Sequence, residues 1–162
     1  DDTTVAKLNV NGNLWLNDGI NLGGTGAANK LDDYETGTWT PVIEGQTTAG
    51  TYTTAYSNAK YIKIGKMVAV NCNVSYTSHT GSGLIIIRGL PFTGTLGAYN
   101  LWHGALTTHN FTLPTGTVSL SSRAQDGKTY VRLFATKNGL AQQELSLDGS
   151  GHIQFSITYE AG

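Results

Sequence analysis

A strict alternation of apolar and polar residues restricts the folds open to this chain more than any other feature. It runs through residues 67–76 and returns through residues 153–159. The apolar faces carry Val68, Val70, Cys72, Val74 and Tyr76 in the first run and Ile153, Phe155, Ile157 and Tyr159 in the second. A period of two is typical of half-buried antiparallel strands. Apolar residues nowhere keep a helical spacing over three turns, and only residues 139–147 approach it weakly, so we predict an all-β fold.

Turn sequences divide most of the chain into short strands. Gly65 and Lys66 separate two alternating runs and suit a two-residue hairpin turn of type II′, which begins with a positive φ. Residues 84–88 are apolar on both faces, which predicts a central strand, and Pro91 ends it because proline cannot donate to a ladder. Residues 99–110 fit either a loop or a strand. We expect about eight to ten strands in an antiparallel β-sandwich or jelly roll.

The first 22 residues carry an apolar pattern with a period of six. Turn sequences around Gly12 and Gly19 separate the apolar pairs, so each unit is predicted to be a short strand followed by a tight turn. Units of this size cannot bury an apolar face without neighbours. We predict that the stripe is the seam of an intertwined, prism-like stem in a homotrimer; the alternative is a hairpin packed on its own chain. The seam residues are Leu8, Val10, Leu14, Leu16, Ile20 and Leu22.

Composition excludes several classes of partner. Only 13% of residues are charged, the formal net charge is -1 and the ten Lys and Arg residues are scattered, whereas nucleic-acid binding needs a clustered basic surface. No apolar run approaches the ~18 residues of a membrane helix, so we expect no membrane insertion. The single cysteine, Cys72, excludes an intrachain disulfide and a multi-cysteine zinc site, and its alternating strand predicts a buried rather than a reactive thiol. We expect no cofactor.

Residues suited to catalysis do not form a recognisable motif. The four histidines are far apart and lack the spacing of metal ligands, so we expect surface histidines. No Gly-x-Ser-x-Gly sequence marks a nucleophile, and no two carboxylates are placed by the sequence across a substrate. We therefore predict that the chain is not an enzyme. The histidines are His79, His103, His109 and His152.

A polar, aromatic segment around residue 102 has the composition of a sugar-binding site. Sugar recognition needs a flat aromatic face flanked by hydrogen-bonding side chains, and Trp102 is the first candidate because its neighbours are polar and its segment is irregular. A place in the core is the alternative for any one aromatic residue. The predicted glycan-binding residues are Tyr99, Asn100, Trp102, His103 and His109, and Tyr52, Tyr56 and Asn58 have a similar composition.

A glycine-rich junction that begins at Gly23 separates two parts of the chain. Its glycines permit backbone angles that other residues avoid, which indicates a folded-back connection. We place the stem and junction at residues 1–37 and the β-sandwich head at residues 38–162. The acidic residues of the junction are expected to cap turn amides; coordination of a cation by three copies around an axis is the alternative. The junction residues singled out are Asp32, Asp33, Tyr34, Glu35 and Trp39.

Residues 31–41 read Leu-Asp-Asp-Tyr-Glu-Thr-Gly-Thr-Trp-Thr-Pro. This segment resembles one in the C-terminal region of many bacteriophage tail fibres, tailspikes and minor structural proteins, where it leads into a β-rich terminal domain. Residues 61–68, 89–93 and 157–160 are similar to further parts of that pattern. Residues 93–147 match no pattern of the family, and a receptor site specific to one host is expected there.

The resemblance implies a homotrimeric, virion-attached and extracellular head that trimerises a tail fibre or tailspike and binds host cell-surface polysaccharide or lipopolysaccharide. It carries over no catalytic residue, because the matched segments look architectural. Two alternatives remain open. One is a structural cap that stabilises an upstream enzymatic spike, and the other is a head that cleaves glycans with carboxylates assembled between subunits. Because the chain opens without a methionine, we expect a piece of a longer or processed protein.

Overall fold

The computed structural model describes residues 6–8, 12, 14–16, 19–22, 30–31, 33–97 and 101–162, with the backbone alone described for residues 6–8 and 14–16. Every regular element in these residues is a β-strand, which confirms the all-β prediction. No helix among them is long and apolar enough to cross a membrane. The strands are β1 (Ala6–Leu8), β2 (Leu14–Leu16), β3 (Ile20–Asn21), β4 (Lys30–Leu31), β5 (Tyr34–Thr38), β6 (Val42–Gly45), β7 (Thr53–Ile64), β8 (Met67–Thr77), β9 (Ile85–Arg88), β10 (Leu101–His109), β11 (Thr117–Gln125), β12 (Tyr130–Lys137), β13 (Gln143–Glu144) and β14 (Gly151–Glu160).

Ten of these strands form one antiparallel sheet. Its order is β5-β7-β8-β14-β10-β11-β12-β9-β6, with β13 beside β12. β5 and β6 stand at opposite ends of this order, yet only residues 39–41 join them. The sheet must therefore curl until its two ends meet, and its halves share one core as in a sandwich. β5 crosses the predicted boundary at residue 38 and belongs to the sheet of the head.

The β7–β8 hairpin has the predicted two-residue turn. Ile64 pairs with Met67 across Gly65 and Lys66, and of the two turn residues only Gly65 has a positive φ, of 55°. Every second residue of β8 from Val68 onward is buried, and β14 shows the same alternation. The predicted apolar faces of both strands are confirmed as core.

β10 occupies most of residues 99–110, the segment for which the sequence allowed either a loop or a strand. It lies between β14 and β11. A Cβ on Gly104 would overlap the carbonyl oxygen of Ser156 on β14. It would also lie 2.8 Å from both Ile157 Cβ and Ser122 Oγ. Glycine is therefore needed where β10 and β14 approach each other.

One apolar core fills the curled sheet, with residues from both of its halves. Trp39, in the connection between β5 and β6, is buried; its ring lies 6.3 Å from that of Phe155, and its Nε1 donates to the Asn71 carbonyl oxygen at 3.3 Å. Cys72 is 1% exposed, so the prediction of a buried thiol is confirmed. Burial raises the pKa of the Cys72 thiol to about 12.

Tyr52 and His79 hold the backbone of β6 at the closure of the sheet. The Ile43 amide donates to the Tyr52 hydroxyl at 3.1 Å, and His79 Nε2 lies 3.0 Å from the Ile43 carbonyl oxygen. The Gly81 amide donates to His79 Nδ1, so Nε2 carries the hydrogen and donates to that carbonyl. The Tyr52 and His79 rings stack with centroids 5.1 Å apart. His79 is a half-buried structural residue, and the expectation of a surface histidine is wrong for it.

The N-terminal strands form two small hairpins. β1 pairs with β2, which places two of the predicted seam residues, Leu8 and Leu14, opposite each other, and β3 pairs with β4. Ile20 and Leu22 are exposed, Leu22 to 60%. Val10 lies outside the described residues. The trimer seam stays a prediction.

Gly104→Ala is expected to lower the free energy of unfolding by about 2 kcal/mol, because an added methyl group must push β10 and β14 apart. Gly149→Ala is the matched control: a Cβ there meets no atom within 4 Å, so a change within about 0.5 kcal/mol is expected. Urea unfolding followed by tryptophan fluorescence measures both. Equal midpoints for the two variants would contradict the close approach at Gly104.

Cys72→Ala is expected to make the stability of the protein less sensitive to alkaline pH. The raised pKa keeps the thiol protonated in the folded state. The thiol therefore makes its full contribution to the free energy of unfolding below pH 9.0, and this contribution is lost as the pH rises to about 12. At about pH 10.5 this loss amounts to roughly 2 kcal/mol in the wild type. The variant loses about 1 kcal/mol at neutral pH through the smaller side chain, and this difference should vanish or reverse at alkaline pH.

Urea midpoints at the two pH values and one protein concentration provide the measurement. Val74→Ala, on the same face of β8 but without a titrating group, serves as the control and should cost the same at both pH values. If the Cys72→Ala and wild-type curves run parallel between pH 7 and pH 10.5, burial of the thiol does not govern the alkaline stability.

Candidate functional site

The predicted glycan-binding residues of β10 are divided between the two faces of the sheet. Side chains alternate along this strand, so Trp102 points toward the core while His103 and His109 are exposed on the outer face. His103 and His109 stand six positions apart on one strand, about 20 Å, and do not meet. Tyr99 and Asn100 lie outside the described part of the chain.

Trp102 packs against the core. Its ring makes an edge-type contact with that of Tyr159, with centroids 6.2 Å apart. Gly94 also lies against it, since an added Cβ there would be 3.0 Å from the Trp102 ring. These contacts match the alternative of a core aromatic residue, and they leave the outer face of β10 to its polar residues.

A polar surface extends over the outer face of β7, β8, β14 and β10. Register places Tyr56 opposite Ser75, Ser75 opposite His152, and His152 opposite His109. Neighbouring strands lie about 4.8 Å apart, so this row is roughly 14 Å long. A second row lies beside it. We name the two rows the histidine surface, which comprises Tyr56, Asn58, Asn73, Ser75, Thr107, His109, His152 and Gln154.

A hydrogen bond between His152 and Asn73 orders the centre of the histidine surface. His152 Nε2 lies 2.6 Å from Asn73 Oδ1 and 3.4 Å from Gln154 Nε2, and the His152 and His109 ring centroids are 5.6 Å apart. Tyr56 is exposed at one end of the row. A shallow depression of about 270 Å³ adjoins the surface and is lined in part by Thr107 and Gln154. An exposed aromatic ring beside ordered amide and imidazole groups is the combination that sugar recognition needs.

The three arginines of the chain form a second polar cluster, on the outer face of β9, β12 and β11. Arg123 lies opposite Arg132, and Arg88 lies one strand further along the sheet. Arg132 Nη1 donates to Glu144 at 2.9 Å, and Arg88 pairs with Glu44. We name these five residues the arginine cluster. Basic residues that look scattered in the sequence are brought together here by strand pairing.

An exposed apolar surface occupies the outer face of β5, β7 and β8. Tyr34 lies opposite Ile64, and Ile64 lies opposite Met67. Tyr34 is 65% exposed and Met67 is 53% exposed, with Ile62 beside them. We name these four residues the apolar surface. Contiguous apolar residues on a protein surface often mark a site of association, and this one begins at β5, at the end of the junction.

The acidic residues of the junction contact side chains of β7. Asp33 forms an ion pair with Lys63, and Glu35 lies 3.7 Å from the same ammonium group. The Tyr61 hydroxyl donates to Glu35 at 3.5 Å. Asp32 lies outside the described residues. Asp33 and Glu35 thus join β5 to β7 through the Lys63 ammonium group, whereas we expected them to cap turn amides.

No group of three or more His, Cys, Asp or Glu side chains in the described parts of the chain could hold a metal ion. Several carboxylates are engaged in structural contacts: Glu44 and Glu144 with arginines, Asp33 with Lys63, and Asp148 with the Thr112 amide. These contacts give each of the four a structural role.

Four parts of these surfaces were not predicted as site residues from the sequence: His152, Gln154, Asn73 and the arginine cluster. Two signals were available, because Asn73 and Gln154 lie on the polar face of predicted alternating strands. The sequence does not show which polar faces are adjacent, because β14 pairs with β8 and β10, two strands far from it in the chain.

No protein-family model matches the chain. No curated protein sequence matches it. Among solved structures, the chain is similar to the Dettilon tailspike protein (gp208), with 18% sequence identity and a TM-score of 0.59. The match covers 78% of this chain and 24% of the tailspike chain, so this chain corresponds to about a quarter of that protein. The likeness shows a shared fold: this chain has a tailspike-like, all-β domain.

Proposed function

We propose that this chain is the terminal domain of a phage tail fibre or tailspike, which trimerises and binds host cell-surface glycan without cleaving it. The observation that carries the proposal is the fold shared with a tailspike protein. The segment at residues 31–41 supports it independently, since it resembles the entry to terminal domains of tail proteins. A curled, jelly-roll-like head on a short stem is the architecture that we assign to it.

We assign glycan binding to the histidine surface in place of Trp102. Tyr56 supplies an exposed ring, and His109, His152 and Gln154 supply hydrogen-bonding groups at strand spacing. The low charge of the chain suits recognition by hydrogen bonds, and repeated weak sites in a trimer would gain avidity without tight binding at one site. His103, also exposed on β10, lies on the side toward the arginine cluster.

Tyr56→Ala and His109→Ala are each expected to weaken glycan binding about tenfold, since each removes a stacking or hydrogen-bonding partner at the surface. An array of host polysaccharide and lipopolysaccharide fragments identifies the ligand, and titration of that ligand measures the affinity. The bound glycan is recovered with no new reducing ends if the domain does not cleave it.

Leu140→Ala is the control, because Leu140 is exposed in the turn after β12 and lies outside the histidine surface. Unchanged affinity in both surface variants would remove the site assignment. Absence of binding to every fragment would favour the second function, a structural cap that holds an upstream spike together.

The apolar surface favours trimerisation, whether the head binds a receptor or acts as a cap. The exposed apolar side chains of β5, β7 and β8 would be covered if copies packed around an axis continuing from the stem. Burial of this surface would stabilise the assembly, because removal of apolar area from water is favourable.

Ile62→Glu is expected to dissociate the oligomer, because it places a charge in the surface that would be covered. Light scattering after size exclusion should give a wild-type mass close to three times the 17.2 kDa chain and a lower mass for the variant. Val118→Glu, at a more exposed strand position on β11 outside the apolar surface, should keep the wild-type mass. A monomeric wild type would end the proposal of a trimeric tip.

A further inference from the structure

The arginine cluster has more positive charge than its own carboxylates neutralise. It holds all three arginines of a chain whose net charge is -1, against the two glutamates Glu44 and Glu144. Arg123 and Arg132 face each other directly across β11 and β12, and opposed like charges destabilise a sheet unless a counter-charge is present. Glu144 is shared between them, so a second anionic group would be favoured here.

Arg123 is the member whose hydrogen-bonding capacity is least used. Its nearest carboxylate oxygen, on Glu144, lies 3.7 Å from its Nη2, beyond hydrogen-bond distance. Its Nε is buried without an acceptor among the described residues, and so is the Nε of Arg132, so an external anion would contact the Nη groups. A guanidinium group has donors on all three nitrogens and no acceptor, so only an electron-rich partner can satisfy it.

Aromatic rings fix the orientation of the guanidinium groups. The Arg123 guanidinium carbon lies 4.0 Å from the centroid of the Phe134 ring. Tyr130 lies 5.6 Å from the Arg132 guanidinium carbon and 5.3 Å from that of Arg88. Groups held in place before a ligand arrives lose little conformational freedom when it binds.

The neighbouring residues extend the cluster without adding negative charge. His103, exposed on β10, is directly opposite Arg123. Ser121, one step further along the outer face of β11, accepts a hydrogen bond from Gln142 Nε2 at 2.9 Å. The outer face therefore offers two adjacent guanidinium groups with an imidazole and polar side chains beside them.

We propose that Arg123 and Arg132, with His103 beside them, bind an oxyanion carried by a surface polysaccharide, either the carboxylate of an acidic sugar or a phosphate substituent. Two-oxygen anions match the fork of an arginine side chain and form its strongest hydrogen bonds. The site is separate from the histidine surface, and it does not depend on glycan binding there.

Titrations of the full chain with glucuronic acid, glucose 6-phosphate and glucose, followed by amide and arginine Nε–H resonances in NMR, test the proposal. We expect saturable shifts around residues 103, 123 and 132 with at least one of the two anions and none with glucose. The affinity should fall as salt is added, because the interaction is between charges. The stronger of the two anions identifies the source as a carboxylate or a phosphate.

Arg123→Gln is expected to weaken binding of that anion about tenfold or more, since it removes a charge-assisted pair of hydrogen bonds. Lys66→Gln removes the same charge from an exposed turn elsewhere and should leave the affinity unchanged. Arg123→Lys, which keeps the charge but loses the fork, should give an intermediate affinity and covers the case in which Arg123→Gln does not fold.

Equal affinity in the wild type and Arg123→Gln, or no saturable response to either anion, would overturn the inference. If Arg123→Gln binds neutral glycan fragments with wild-type affinity, the assignment of glycan binding to the histidine surface is unaffected. The two proposals can therefore fail separately.

Discussion

The connection of residues 39–41 imposes the shape of the head. It joins two strands at opposite ends of a nine-strand path, so the sheet has to curl through its whole width. Trp39 is buried in this connection, and Tyr52 and His79 bind the amide and the carbonyl oxygen of Ile43 in the adjoining strand. An unpaired peptide group at such a closure would be costly, so these side chains take the place of a neighbouring strand.

Curling gives the sheet an inner face and an outer face with different compositions. The inside is a single apolar core, and the outside carries the apolar surface, the histidine surface and the arginine cluster. The apolar surface lies on β5 and the adjoining ends of β7 and β8. The histidine surface runs from the other ends of β7 and β8 onto β14 and β10, and the arginine cluster lies on β11, β12 and β9. This arrangement suits a domain that would associate with copies of itself near its stem and present polar side chains to a host surface.

The two polar regions differ in the chemistry that they can recognise. The histidine surface offers amide, imidazole and hydroxyl groups, which suit neutral sugars, whereas the arginine cluster suits an anion. Bacterial polysaccharides that combine neutral and acidic sugars could occupy both at once, and two weak contacts on one rigid sheet reinforce each other without a linker cost. The depression lined by Thr107 and Gln154 adjoins the histidine surface on β10 and β14.

Sequence alone determined the class of fold, the buried faces of β8 and β14, the Gly65-Lys66 hairpin and the buried Cys72, because each depends on residues close together in the chain. Tertiary structure decided the rest. The phase of β10, set by pairing with β14 and β11, turned Trp102 inward and His109 outward. Pairings between distant strands brought His152 beside His109 and Arg88 beside Tyr130. Periodicity shows which face of a strand is apolar, but which strands are neighbours depends on how a long chain closes into one sheet.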